Sequence, residues 1–228
     1  MQTPRITGRL SSNQKRFFAE LIGTFVLVVF ATGSVVLAVK YPGIFGLWFI
    51  ALAPAVAVAI LVCAFGKISM AHFNPAVTVG FFITKHMPKK LFPLYLIAEI
   101  TGALLGSIFV KYVIGTDANL GANAPDYTFQ IPLIVGVEIL ASSLLMAVIM
   151  VVVHTNGLRG FGGIAMSGIV IGAMVGLDIF FFAFISGASM NPARALAPAI
   201  VSGYLNDLWL YWTAPFIGST IIATIYRR

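Results

Sequence analysis

The sequence predicts an all-α membrane protein, with six transmembrane helices and two half-membrane helices arranged as an inverted repeat. Three observations carry that prediction. The 228 residues are 60% hydrophobic and 9% charged, where a soluble domain carries about 25% charged residues. The apolar residues gather into six runs long enough to cross about 30 Å of hydrocarbon, which takes roughly 20 helical residues. One short phrase also occurs twice: ISMAHFNPA at 68–76 and ISGASMNPA at 185–193 share Ile-Ser-x-Ala-x-x-Asn-Pro-Ala. A chain of this composition has too little polar surface to dissolve as a monomer, so its expected solvent is lipid.

The first run, 17–39, follows Arg5, Arg9, Lys15 and Arg16. It exceeds the apolar core of a cleavable signal and lacks a convincing small-residue cleavage site, so it reads as a span. The second, 46–66, stops at Lys67 and leads into the first copy of the phrase. There Asn74-Pro75 marks a helix start, because Asn caps helix N-termini and Pro suits the first helical position. The stretch that follows, VTVGFFIT, is too short to cross at about 1.5 Å per residue and reads as a half-membrane helix. The third run, 91–113, begins after Lys85, Lys89 and Lys90, and the longest, most turn-like connection follows it at 114–130. The fourth and fifth runs, 131–153 and 163–184, flank Arg159. Within the fifth, Gly168, Gly172 and Gly176 recur every four residues and mark a face for close helix approach, as Gly102 and Gly106 do in the third. Asn191-Pro192 then starts a second half-helix over RALAPAIVS, and the sixth run is 206–226.

The repetition extends beyond the phrase, within a single domain spanning 1–228. AELIGTF around Glu20 recurs loosely as VEILASS around Glu138, and Gly102 in the third run matches Gly218 in the sixth. Each half, approximately 17–113 and 131–226, therefore holds three spans and one Asn-Pro-Ala. Three crossings make the second half enter the membrane from the opposite side, which gives inverted repeats.

The net charge of +7 is distributed along this alternation rather than clustered for nucleic acid. Arg5, Arg9, Lys15, Arg16, Lys67, Lys85, Lys89, Lys90, Arg159, Arg227 and Arg228 fall on one side of the membrane. Lys40 and Lys111 fall on the other, and Arg194 lies inside the second motif. This positive-inside bias predicts a multi-pass protein of the cell membrane with both termini cytoplasmic. The lysine collar is a solvated surface that also suits contact with anionic lipid. The single cysteine, Cys63, rules out an internal disulfide framework.

Two half-helices dipping from opposite faces meet start to start at the midplane. The unwound segments before them expose backbone carbonyls, which are tolerated at that depth only when buried in protein or lining a wet cavity. Each helix N-terminus contributes about half a positive charge, so a cation at the meeting point is repelled. The amides of Asn74 and Asn191 can donate there to a passing neutral oxygen.

With AELIGTF, HFNPAVTVG, MNPARALAPAI and YWTAPFIG in place, the sequence resembles the aquaporin family of major intrinsic proteins over almost its whole length. The resemblance implies one pore per subunit, usually in a homotetramer. It makes Asn74, Pro75, Ala76, Asn191, Pro192 and Ala193 the pore motifs, with Asn74 and Asn191 as central donors. Arg194 becomes the charged residue of an outer selectivity filter, and His72 lines the pore on the cytoplasmic side of Asn74. Glu20 and Glu138 would accept hydrogen bonds from backbone amides of the unwound segments. Glu99 and Asp178 have no repeat partner and receive no role.

Counting from the motifs places Pro54, Ile179 and Ala188 beside Arg194 in the filter. Strict water channels of the family usually carry Phe, His and a small residue there. Pro54 and Ile179 remove the aromatic and the histidine, so the expected filter is wider and more apolar, unless Trp48 or Phe49 a turn away fills the gap. Pro54 can also kink the second span and free the carbonyl of Ile50. Other markers point to the water branch: Ala195 where glycerol channels favour Asp, Ala199 where they favour a basic residue, and Tyr211-Trp212 where they favour a Pro-led pair. The resulting expectation is a passive water channel that excludes ions and protons, with selectivity relaxed toward small neutral solutes. The alternative is a channel mainly for glycerol, ammonia, hydrogen peroxide, hydrogen sulfide or similar solutes. Many water channels of the family have a mercury-sensitive pore cysteine where Ala188 stands, so mercury insensitivity is expected unless Cys63 is reachable.

An ion-coupled transporter would need intramembrane charges beside the motifs, and its only candidates are Glu20, Glu99, Glu138 and Asp178. A non-conducting structural protein would not require two intact motifs with Arg194. No phosphate loop or nucleophile–base pair is visible, and His72, His86 and His154 are not spaced as ligands. No enzyme activity, metal or cofactor is therefore expected.

Overall fold

The computed structural model describes residues 10–155 and 163–227; Arg5, Arg9, Arg159 and Arg228 lie outside the described residues. Among the described residues ten helical segments follow one another, nine of them α-helices and the fifth a short left-handed turn: α1 Ser12–Lys40, α2 Leu47–Ser69, α3 Pro75–Ile83, α4 Phe92–Phe109, α5 Asp117–Gly121, α6 Ile131–His154, α7 Gly163–Ser186, α8 Pro192–Ser202, α9 Leu208–Tyr211 and α10 Ala214–Ile225. Among the described residues six stretches are long and apolar enough to cross a membrane: 12–40, 47–69, 89–114, 131–154, 163–186 and 208–225. Between α2 and α4, and again between α7 and α9, lie the short helices α3 and α8, of 9 and 11 residues.

Three boundaries differ from the apolar runs for local reasons. Helix α1 begins before the expected 17 because Ser11 and Gln14 form a capping box: Gln14 Oε1 accepts from the Ser11 N–H at 2.8 Å, and Ser11 Oγ from the Gln14 N–H at 3.3 Å. Helix α4 continues through a π-helical turn, Val110–Ile114, closed by the Gly115 N–H to the Val110 carbonyl at 2.9 Å. The sixth span is interrupted between Tyr211 and Ala214, with Pro215 in the first turn of α10. In the connection expected to be a turn-rich loop, Ala118, Asn119 and Leu120 form a left-handed turn with φ of 48°, 51° and 61°.

Three seams dominate the packing: α1 on α4, α6 on α10, and α2 on α7. Each has a glycine where two backbones meet. A Cβ on Gly102 would sit 2.2 Å from the Leu21 carbonyl oxygen, one on Gly218 2.4 Å from that of Ile139, and one on Gly172 2.3 Å from that of Ala55. The main core gathers Phe81, Leu145, Met146, Met150 and Tyr95 around α3 and the inner half of α6. Large apolar side chains such as Ile60, Ile97, Phe181 and Ile225 face outward.

Candidate functional site

Asn74 and Asn191 are N-caps with extended backbone. Oδ1 of Asn74 accepts from the Ala76 N–H at 2.9 Å, and that of Asn191 from the N–H groups of Ala193 and Arg194 at 3.0 and 3.3 Å. Pro75 and Pro192, which have no N–H to satisfy, fill the first helical positions. The amide nitrogens then cross over: Nδ2 of Asn74 donates to the Met190 carbonyl at 2.8 Å, and Nδ2 of Asn191 to the Phe73 carbonyl at 2.9 Å. The two half-helices are thus joined N-terminus to N-terminus, and each amide keeps one further proton.

The segments leading into the half-helices are strained. Met70, Ala71 and Phe73 have φ of 69°, 54° and 51°, and Ala188 and Met190 of 41° and 54°. Non-glycine residues persist in that region only when their surroundings over-determine it. Here two buried carboxylates hold the backbone. Glu20 accepts from the N–H groups of His72 at 3.1 Å and Phe73 at 2.7 Å. Glu138 accepts from those of Ser189 at 3.3 Å and Met190 at 2.6 Å, and from Ser186 Oγ at 2.9 Å. Both acids are fully buried. Each is therefore a clamp on one unwound segment.

A cavity of about 410 Å³ passes between these segments. Its wall extends from Val152 and Val153, near the C-terminal end of α6, to Asn123 and Ala124 at the opposite end of the bundle. His72, Asn74, Asn191 and Arg194 line it, as do Pro54, Ile179 and Ala188. Helix α2 runs through Pro54 as one continuous helix, so no break accompanies the proline; Ile50 nevertheless reaches the wall. Trp48 and Phe49 do not fill the place of a filter aromatic. Trp48 is 55% exposed, Phe49 packs on Phe45 with ring centroids 4.5 Å apart, and Leu47 and Ile50 line the cavity instead. Cys63 is exposed and outside the wall, with its thiol 3.7 Å from the Ile164 carbonyl.

Asn123 is a residue that sequence reading missed. Its Oδ1 accepts from Arg194 Nη1, while its Nδ2 donates to the Gly187 carbonyl at 2.8 Å. It ties the left-handed turn at 118–120 to the strained segment and to the arginine. The same connection is anchored further out by Tyr127 and Tyr204, whose hydroxyls donate to Asp207 at 2.5 and 2.8 Å. Donation to that carboxylate holds both phenols above their ordinary range. Asp178 is fully buried, with no partner to either oxygen among the described residues. His86 and His154, distant in sequence, bring their ring centroids to 5.2 Å at the other end of the bundle. No group of three metal-ligating side chains occurs among the described residues.

A six-span helical bundle in which two half-helices meet end to end beside a lined cavity is the architecture of a membrane channel. The chain belongs to the major intrinsic protein family, whose model matches residues 8–226. It is 37% identical over 206 residues to a probable aquaporin NIP4-2 of Arabidopsis thaliana, covering 90% of this chain and 70% of that protein. To a probable NIP-type aquaporin of Nicotiana alata it is 38% identical over 220 residues, covering 93% and 77%. Its fold matches the crystal structure of the aquaglyceroporin from Plasmodium falciparum with a TM-score of 0.82, at 24% identity, over 94% of this chain and 95% of that one. The chain is thus a multi-pass membrane protein of a family of passive channels, not an enzyme.

Proposed function

We propose that the chain conducts water passively, excludes ions and protons, and admits small neutral solutes more readily than a strict water channel does. The composition of the cavity wall carries this reading. Arg194 and the paired asparagines supply its donors, while Pro54, Ile179 and Ala188 stand where a strict filter places an aromatic, a histidine and a small residue. Two helix N-termini aimed at one point, reinforced by Arg194, disfavour a cation or a migrating proton. A neutral molecule with lone pairs meets donors there. Similarity to proteins named as NIP-type aquaporins supports water or a small neutral solute as cargo. Ala195, Ala199 and Tyr211-Trp212 favour water as the main one.

The same missing aromatic favours a second reading, a channel mainly for glycerol or related neutral solutes. On either reading the halves 17–113 and 131–226 act as inverted repeats, each supplying one side of the constriction. The working unit is a homotetramer in the cell membrane with both termini cytoplasmic, its outward apolar side chains meeting lipid and neighbouring subunits. Stopped-flow light scattering on proteoliposomes tests the choice. Fast shrinkage in an impermeant osmolyte, partial re-swelling in glycerol and an unchanged internal pH dye are expected. Re-swelling as fast as the shrinkage would favour the glycerol reading, and slow traces in both osmolytes would refute conduction.

A further inference from the structure

We propose that Pro54 shapes selectivity through the hydrogen bond it cannot make: it leaves the carbonyl of Ile50 as an acceptor on the cavity wall for the N–H and O–H groups of a passing solute. The inference rests on reading that cavity as the conduction path. Proline has no backbone N–H, so the carbonyl four residues before it loses its helical donor. Helix α2 nevertheless remains one helix from Leu47 to Ser69, with Pro54 inside it. In that pattern the N–H groups of Ala53 and Ala55 serve the carbonyls of Phe49 and Ala51. The adjoining stretch ALAPAVAV at 51–58 has no side-chain donor to take their place.

The faces of α2 fix where that oxygen lies. Leu52, Val56 and Ile60 are exposed and face outward. Ala51, Ala55 and Ala59 meet the glycine seam of α7: a Cβ on Gly176 would lie 3.5 Å from the Ala51 oxygen, one on Gly172 2.3 Å from that of Ala55, and one on Gly168 2.4 Å from that of Ala59. Leu47, Ile50, Pro54, Val58 and Val62, spaced three or four apart, line the cavity. A helical carbonyl runs along the axis toward the residue four places on. The Ile50 oxygen therefore lies between two wall residues, on the stripe that faces the cavity rather than lipid or α7. A backbone group freed by proline in a membrane helix is satisfied by a neighbouring group or by water, and on this stripe the cavity is where water arrives.

The consequence is a filter with both hydrogen-bonding senses. Arg194 presents donors to the cavity, while the side chains of Pro54, Ile179 and Ala188 neither donate nor accept. The Ile50 oxygen adds an acceptor to that wall. A neutral amide, which carries a carbonyl and N–H groups, can use both senses in passing and recover part of the hydration it loses on entry. Bulk and bonding then make opposite predictions for position 54. Alanine is smaller than proline and widens the wall, yet it restores the N–H that occupies the Ile50 carbonyl.

Two measurements on protein in liposomes test this. Labelling isoleucine carbonyls with ¹³C and alanine nitrogens with ¹⁵N selects the Ile–Ala junctions, which are Ile50–Ala51, Ile97–Ala98, Ile164–Ala165 and Ile222–Ala223. Ile50→Val drops one signal and so assigns it. In water-edited magic-angle NMR, magnetisation should pass from water to the Ile50 carbonyl at least about twofold faster than to that of Ile97, whose N–H donor four places on is intact. Pro54→Ala should remove that difference. In stopped-flow light scattering the same variant should lower urea permeability relative to water by about threefold, the scale of one lost hydrogen bond. A native Ile50 carbonyl no better hydrated than that of Ile97, or a urea-to-water ratio that rises or stays level in Pro54→Ala, would overturn the proposal. The NMR readout does not require flux, so a hydrated Ile50 carbonyl in a non-conducting protein would count against the proposed function while supporting the acceptor.

Discussion

Arg194 combines a fixed charge with a side-chain hydrogen bond to Asn123, whose own amide is tied to Gly187. This makes the outer end of the cavity sensitive to a neutral residue that lies far from both motifs in sequence. Asn123→Ala should leave the fold intact and raise glycerol and urea permeability by about threefold relative to water, since a released guanidinium samples more positions at a loss of roughly one hydrogen bond. Arg194→Val should do the same and add a proton leak, visible with an internal pH dye; an unchanged leak and solute profile in folded protein would remove Arg194 from the filter. Ala188 gives a sharper check. The native chain should resist mercurials, whereas Ala188→Cys, with its side chain on the wall, should lose most water flux on mercury treatment and regain it with thiol. At this scale the doubled Asn-Pro-Ala was legible because Asn at the N-cap and Pro at the first helical position mark a helix start, and the phrase occurs twice. Asn123 was not, because its bond to Arg194 joins positions 71 apart with no repeat or spacing to advertise it.

The elements repeat this pattern of local legibility. The six apolar runs and two short helices follow from length and from Asn-Pro starts, and the glycine spacing in α7 correctly marks a close seam. At Gly172 that seam leaves no room: Gly172→Val should cost about 1–3 kcal/mol through overpacking against Ala55 and Ala59. A lowered midpoint in detergent unfolding would report it, and an unchanged midpoint would mean that α2 and α7 can separate freely. The irregular elements were not legible, because tertiary contacts override intrinsic preference in each. Ala118, Asn119 and Leu120 turn left-handed where Leu120 is buried and Gly121 meets the Thr32 backbone. The strained segments before α3 and α8 likewise depend on Glu20 and Glu138 rather than on their own sequence. Glu138→Gln places an amide donor among three donors and should destabilise the protein by at least about 2 kcal/mol, the scale of hydrogen bonds to a charged group. Retained stability would show that α8 keeps its place without the clamp.

For the whole molecule, charge placement predicts which way it faces. Lys15 and Arg16 lie in the first turns of α1, Lys67 near the end of α2, Lys85, Lys89 and Lys90 between α3 and α4, and Arg227 after α10. All of these share the end of the bundle that holds the His86–His154 contact. At the opposite end the two lysines are engaged with backbone: Lys40 Nζ donates to the Ile114 carbonyl at 3.2 Å, and Lys111 Nζ to that of Val201 at 3.5 Å. Basic residues near span ends are retained on the cytoplasmic side, and short loops obey this bias most strictly. The end bearing His86 and His154 should therefore face the cytoplasm, with Asn123 and Arg194 toward the outside. Single cysteines placed on a Cys63→Ser background test this directly. Asn119 and Thr155 are exposed at opposite ends of the bundle, so a membrane-impermeant maleimide applied to intact cells should label Asn119→Cys and reach Thr155→Cys only after permeabilisation. The reverse pattern would invert the molecule and put the arginine filter on the cytoplasmic side. Equal labelling of both would mean that the seven basic residues named here do not fix one orientation, as the opposed halves of an inverted repeat would then permit.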